Sequence, residues 1–139
     1  MKPEGRRVIR VRDVMSSDYI LVDGLMTVRE VVEMLRERPP CPFIVKKRWP
    51  DDEYGMVLLG DIAKKVLALN RSPDRVNVYE VMIKPLVHVR SDMDIRYCAR
   101  LFDRLELTHA PVLDGDELVG VISFPNIVLN GLLPALRED

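Results

Sequence analysis

Side chains able to do chemistry are few in this chain, and the most suggestive lie in two short stretches. Residues 120–127 read GVISFPNI and residues 55–62 read GMVLLGDI. In the first, Ser123 precedes Pro125 and suits the cap of a helix that starts there, with Asn126 in its first turn. In the second, Asp61 follows Gly60 at the opening of a helix, where the helix dipole favours a carboxylate without any ligand. The two histidines, His88 and His109, have no metal-ligating partner four residues on and no cysteine pair nearby. His109, two residues before Pro111, suits a strand end where it bonds backbone. No G-x-x-x-x-G-K-S/T phosphate loop and no G-x-S-x-G nucleophile elbow occurs. Asp51-Asp52-Glu53 reads as a solvated hairpin tip rather than a metal site, and Asn70-Arg71-Ser72 is a formal glycosylation triplet followed by Pro73. The chain therefore reads as a non-enzyme, with no metal and no obligatory cofactor.

Composition sets the frame for those residues. The 139 residues suffice for one domain with a modest core or two small units sharing one. Hydrophobic residues make up 47% and charged ones 31%, an ordinary globular balance. No apolar run reaches the roughly 18 residues that cross a bilayer, and the start MKPEGRRVIRVRDVM lacks the apolar block of a secretory signal. The expectation is a cytoplasmic protein without membrane contact. Its two cysteines agree: Cys98 falls in a helical apolar stripe as core, and Cys41 in PPCP reads as an exposed rigid turn. With 21 basic and 22 acidic side chains the net charge is −1, which argues against broad nucleic-acid binding. Lys2, Arg6, Arg7, Arg10 and Arg12 at the N-terminus, and Lys46-Lys47-Arg48, read as solvated surface.

The elements that must position these residues occur twice. Val14-Met15 has a counterpart 67 positions on in Val81-Met82, and Ile20-Leu21-Val22 in Val87-His88-Val89. The same offset sets Thr27 opposite Asp94, both good helix caps. Val28, Val31, Val32 and Leu35 then recur with helical spacing, as do Ile95, Cys98, Ala99 and Phe102, so each helix should bury one face. Strands follow at 42–45 and 110–113. Asp114-Gly115 marks a tight hairpin turn in the second copy, and Lys46 to Glu53 form a longer one in the first. The strands leaving these turns, 55–59 and 118–122, are offset by 65, as a first hairpin with two extra residues requires. GDIAKKVLALN and FPNIVLNGLL close the copies as helices. The segments are thus a basic stretch 1–10, unit 11–69, linker 70–77, unit 78–133 and tail 134–139. Neither copy alone covers its own apolar faces, so one fused module is expected.

This doubled order of elements resembles a tandem pair of CBS domains, the Bateman module named after cystathionine β-synthase. The signs are V-x-x-V-M openings, a Pro-containing apolar strand after the first helix, and a closing Gly, two apolar residues, Ser or Thr, then Asp three residues later. The resemblance covers roughly residues 8 to 133. It implies an α+β fold of two pseudo-symmetric β-α-β-β-α units packed sheet to sheet in one module. It also implies a cleft between the units that takes AMP, ADP, ATP or S-adenosylmethionine. In such pairs the closing Asp accepts from the ribose diol, and the Ser or Thr before it anchors ribose or phosphate.

Carried over residue by residue, the resemblance gives two unequal sites. Asp61 stands at the ribose position of the first, where Leu58 replaces the hydroxyl. Ser16 contributes a hydroxyl there, and the phosphates point to Thr108 and His109, whose imidazole carries a partial or full positive charge. In the second site Ser123 keeps the hydroxyl, Asn126 replaces the carboxylate and loses charge assistance, and Lys84 compensates for the missing phosphate cation. The expectation is a better site at Asp61 and a weak or altered one at Asn126. The implied function is a stand-alone regulator that signals to an effector protein, the ligand fixing the angle between units. CBS pairs associate as flat two-fold dimers, so a homodimer is expected. The alternative is a ligand-free dimeric scaffold with degenerate sites.

Overall fold

A computed structural model of the chain describes residues 7–84 and 87–136. Lys2 and Arg6 of the basic stretch and the last three residues of the tail lie outside the described residues. The fold is α+β with two three-stranded sheets. In order, the elements are α1 (Val11–Val14), β1 (Ile20–Val22), α2 (Val28–Glu33), β2 (Phe43–Val45), β3 (Gly55–Val57) and α3 (Leu59–Ile62). They continue with α4 (Val78–Val81), β4 (Val89–Arg90), α5 (Ile95–Leu105), β5 (His109–Asp114), β6 (Glu117–Ser123), α6 (Phe124–Ile127) and α7 (Leu133–Ala135). A wider π-turn extends α3 over Ala63–Leu67, and another joins α6 to α7 over Val128–Leu132.

Local chemistry sets the helix starts. Thr27 Oγ1 accepts from the Glu30 amide at 3.1 Å, and Glu30 returns a carboxylate to the Thr27 amide at 2.8 Å, so two donors left over by α2 are satisfied. Asp94 begins α5 by accepting from the Arg96 amide at 2.8 Å. The second hairpin turns at Gly115 and Asp116, one residue later than the sequence suggests. Gly115 takes φ +65°, the left-handed backbone that a side chain resists, and Asp114 stays in the ladder opposite Glu117.

Each sheet has the same wiring. β1 runs parallel to β2 and β2 antiparallel to β3, with Val22 opposite Val45; β4, β5 and β6 repeat this with Val89 opposite Val112. The first helix stripe is narrower than its periodicity implies, because Val32 is 42% exposed.

The compact units do not follow the sequence copies. One unit takes in residues 7–17 and 87–136, the other residues 18–84. Val11 and Val14 of α1 belong to a core with Cys98, Phe102, Ala110 and Ile122, whereas Val78 and Val81 of α4 share one with Val28, Phe43 and Val57. Backbone bonds repeat the exchange. The Val11 amide bonds Met93 O at 2.8 Å and the Val78 amide bonds Met26 O at 2.8 Å, one repeat offset apart. Asn130 Nδ2 reaches Val14 O at 3.2 Å, and at the equivalent position Lys65 Nζ reaches Val81 O at 3.1 Å. The repeat boundaries at 11–69 and 78–133 therefore describe a sequence pattern, while the packing cuts across them.

Two glycines permit that exchange. A Cβ on Gly120 would lie 2.9 Å from Ser16 O and 2.8 Å from Met15 Sδ. A Cβ on Gly55 would lie 2.7 Å from Met82 Sδ. The glycine of each third strand is thus the floor on which a Val-Met segment rests.

Candidate functional site

The unit of residues 7–17 and 87–136 gathers five of the seven expected site residues. β5 and β6 pair His109 opposite Ser123, so the two side chains share a sheet face. It is the face opposite Ala110, Val112 and Ile122, which turn into the core. Ser16 adds to that sheet from outside: its amide donates to Val121 O at 2.9 Å, and the Val121 amide returns a bond of 2.9 Å to Ser16 O. Thr108 Oγ1 lies 3.0 Å from His109 Nδ1. Burial holds the His109 imidazole below its usual value of 6.5, which favours its neutral form. Burial works against the partial or full positive charge expected of it, and the ring offers hydrogen bonds instead.

Ser123 and Asn126 close on each other. Asn126 Oδ1 accepts from the Ser123 amide at 3.0 Å and from Ser123 Oγ at 3.1 Å. Phe124 between them sets its ring edge against Phe102, the centroids 5.4 Å apart at 71°. The Ser123 hydroxyl, expected to cap the helix, accepts from none of its amides; the start is held instead by Asn126 reaching back to Ser123 and by the aromatic contact.

The unit of residues 18–84 holds the other two, Asp61 and Lys84. Asp61 Oδ2 accepts from the Leu58 amide at 2.8 Å, the same cap that Asn126 makes. Around it the equivalent positions are apolar: Ile83 stands for Ser16, Pro42 for His109 and Leu58 for Ser123. Ile83 bridges Met56 as Ser16 bridges Val121. The exchange of opening segments therefore concentrates the hydroxyls on one sheet and leaves the other a lone carboxylate. A linear reading assigns Ser16 to the first copy and so misses this imbalance.

Lys84 does not stand free to meet an anion. Its ammonium forms an ion pair with Asp52 and lies 5.7 Å from the Trp49 ring centroid, with Arg48 at 5.7 Å from the same ring. Asp52, expected to be solvated, is buried and also accepts from the Arg48 amide at 2.9 Å. Sequence reasoning missed this clamp because its partners lie on separate elements. Cys41 is likewise buried rather than exposed, and burial raises its thiol. Burial alone pushes the Cys98 thiol up to about 11. Both are unreactive thiols at neutral pH.

The clamp has a pH signature. The Lys84 hydrogen bond, then the Arg48 amide, hold the Asp52 carboxyl down at about 2 against an ordinary 3.8. A carboxyl with a lowered folded value stabilises the native state above its unfolded value and loses that contribution as pH falls toward the folded one. Wild-type melting temperature should therefore drop between about pH 4 and pH 2 by more than that of Asp52→Asn. Parallel slopes for the two proteins would sink the assignment.

Among the described residues no group of three or more His, Cys, Asp or Glu could hold a metal ion, and no helix is long and apolar enough to cross a membrane.

Comparison with known proteins gives a consistent family. The family model described as CBS domain matches residues 11–68 and 78–129. A hexameric CBS-CP12 protein from bloom-forming cyanobacteria superposes with a TM-score of 0.86 at 32% identity, over 97% of this chain and 79% of that one. A CBS domain pair solved with 5′-methylthioadenosine and S-adenosyl-L-methionine matches in fold, with a TM-score of 0.74 at 19% identity over 95% and 100% of the two chains. The cytosolic domain of the Mg2+ channel MgtE in complex with ATP matches with a TM-score of 0.64 at 28% identity, over 83% of this chain and 46% of that one. Two curated relatives are an uncharacterised protein of Methanopyrus kandleri, 23% identical over 88% of this chain, and the magnesium transporter MgtE of Thermus thermophilus, 32% identical over 91%. The chain spans 62% of the first and 27% of the second.

Proposed function

The chain belongs to the CBS-domain family as two tandem copies, and on that premise we propose that it is a regulatory module binding an adenosine-containing ligand and reporting occupancy to a partner. The observation that carries the reading is Asp61. It stands where a closing-motif carboxylate is expected, one oxygen engaged in capping and the other accepting no hydrogen bond among the described residues. A carboxylate oxygen so placed is suited to the hydroxyl donors of a ribose. Structural neighbours solved with S-adenosyl-L-methionine, 5′-methylthioadenosine or ATP support the ligand class. AMP, ADP, ATP and S-adenosylmethionine are the compounds to try. The ligand acts by differential affinity for two states, shifting their populations. Readout goes to an effector protein or to a second copy of the chain in a homodimer, for which Leu129, Leu132, Leu133 and Leu136, 51–60% exposed, offer apolar surface.

The second reading is a ligand-free scaffold, favoured by the apolar Ile83, Pro42 and Leu58 positions around Asp61. Mass spectrometry of small molecules released from purified protein, with thermal-shift screening of the four compounds, separates the two. A released adenosine compound, or a raised melting temperature with one of them, is the expected result. Empty protein that none of them stabilises would leave the scaffold.

A further inference from the structure

The two hairpins hold equivalent places in the two sheets and carry opposite charge. The β2–β3 turn presents Lys46, Lys47, Arg48 and Trp49, whereas the β5–β6 turn presents Asp114, Asp116 and Glu117. None of these six charged side chains joins an ion pair among the described residues. Residues 105–136 contain no lysine or arginine, so the β5–β6 tip has no cation on its own strands or on the helices that follow. On the β2–β3 tip Asp51 and Glu53 offset part of the charge, while Asp52 is buried against Lys84. The indole is held out at the apex. Trp49 is 53% exposed, its carbonyl accepts from the Asp52 amide at 3.0 Å, and the Asp52 carboxylate takes the Arg48 amide at 2.9 Å. Burying a carboxylate to fix the turn that exposes a tryptophan adds nothing to the core; it preorganises a contact surface.

We propose that the β2–β3 tip is a docking surface for a second copy of this chain, and that its counterpart is the acidic β5–β6 tip of that copy. Charge complementarity selects the occupant: three unpaired cations meet three unpaired carboxylates, and two acidic tips repel. Each exposed pair contributes little by itself, so Trp49 and Arg48 supply the affinity, as the residue types that dominate contact energies. Under two-fold symmetry the contact is made twice, basic tip to acidic tip and the reverse. The surface is separate from the exposed Leu129, Leu132, Leu133 and Leu136, and it does not depend on which ligand the chain binds.

Sedimentation velocity on the full chain tests this, with two charge reversals that leave both cores untouched. Wild type should self-associate, and raising NaCl from roughly 50 to roughly 500 mM should weaken the association about tenfold. Lys46→Glu with Lys47→Glu, and separately Asp116→Lys with Glu117→Lys, should each abolish the salt-sensitive step. An equimolar mixture of the two variants should restore it, because it brings an intact acidic tip to an intact basic one. Trp49→Ala should weaken it about tenfold. The emission of Trp49, the chain's one tryptophan, should shift with protein concentration. Association unchanged by salt and by both reversals belongs to the leucine surface and overturns the proposal, as does a mixture that regains nothing. Trp49 emission that answers instead to phosphatidylglycerol vesicles or to a single-stranded oligonucleotide, with no self-association, assigns the basic tip to a polyanion and likewise overturns it.

Discussion

Val11→Asp should unfold the unit of residues 87–136 while the unit of residues 18–84 keeps its protection. Val11 is fully buried in a core with Phe102, Cys98 and Ile122. A carboxyl placed there without a partner is held protonated at a cost of several pKa units, about 4 kcal/mol or more. A domain with 5–15 kcal/mol of total stability has little to spare against that. The segment is also held by its backbone, the Val11 and Arg12 amides bonding Met93 O and Ser91 O at 2.8 and 2.9 Å. Its loss therefore frees partners in the second copy, not the first. Val78→Asp should do the mirror experiment, because Val78 is fully buried among Val28, Phe43 and Val57. Hydrogen–deuterium exchange read peptide by peptide decides it. If Val11→Asp releases residues 18–69 and spares 87–136, the exchange of opening segments is wrong.

That exchange marks the boundary of what the sequence discloses. Thr27 and Asp94 are legible because a cap is made by residues two or three positions away, and the hydroxyl or carboxylate names its own backbone partner. The two antiparallel hairpins are legible for a similar reason, since each joins strands that follow one another in the chain. The sheet that an opening segment joins is another matter. Ser16 bonds Val121, far along the chain, and nothing in Val14-Met15-Ser16 states which of two similar third strands it will meet. Only Gly120 and Gly55 hint at it, as strand positions without a side chain where another backbone or a methionine must come close. Cys41 shows the converse error. PPCP carries turn chemistry, which is local, whereas its burial is tertiary. Asp61 and Asn126 are legible as residue types and as partners of a backbone amide three positions back, whereas the sheet that supplies the residues around each is tertiary.

Phe102→Ala should lower stability by about 3–5 kcal/mol, the usual cost of emptying a phenylalanine site in a core. Phe102 is fully buried on α5, and its neighbours Ala110, Val112 and Ile122 are sheet residues whose backbone cannot collapse into the space. The effect should reach the candidate site through one contact. Phe124 sets its ring edge against Phe102 and is itself 43% exposed, so much of what holds it is that contact. Phe124 lies between Ser123 and Asn126, and their mutual hydrogen bonds depend on the helix start it anchors. Chemical denaturation should show the loss in midpoint, and amide exchange under native conditions should quicken at residues 121–128 before the rest of β5 and β6. Phe102→Leu, which retains most of the volume, should cost about 1–1.5 kcal/mol and leave those amides protected. A Phe102→Ala protein within about 1 kcal/mol of wild type would mean that Phe124 takes over the vacated space. The cap at Ser123 would then owe nothing to α5, and the rigidity of the Asn126 position would have to come from its own two hydrogen bonds.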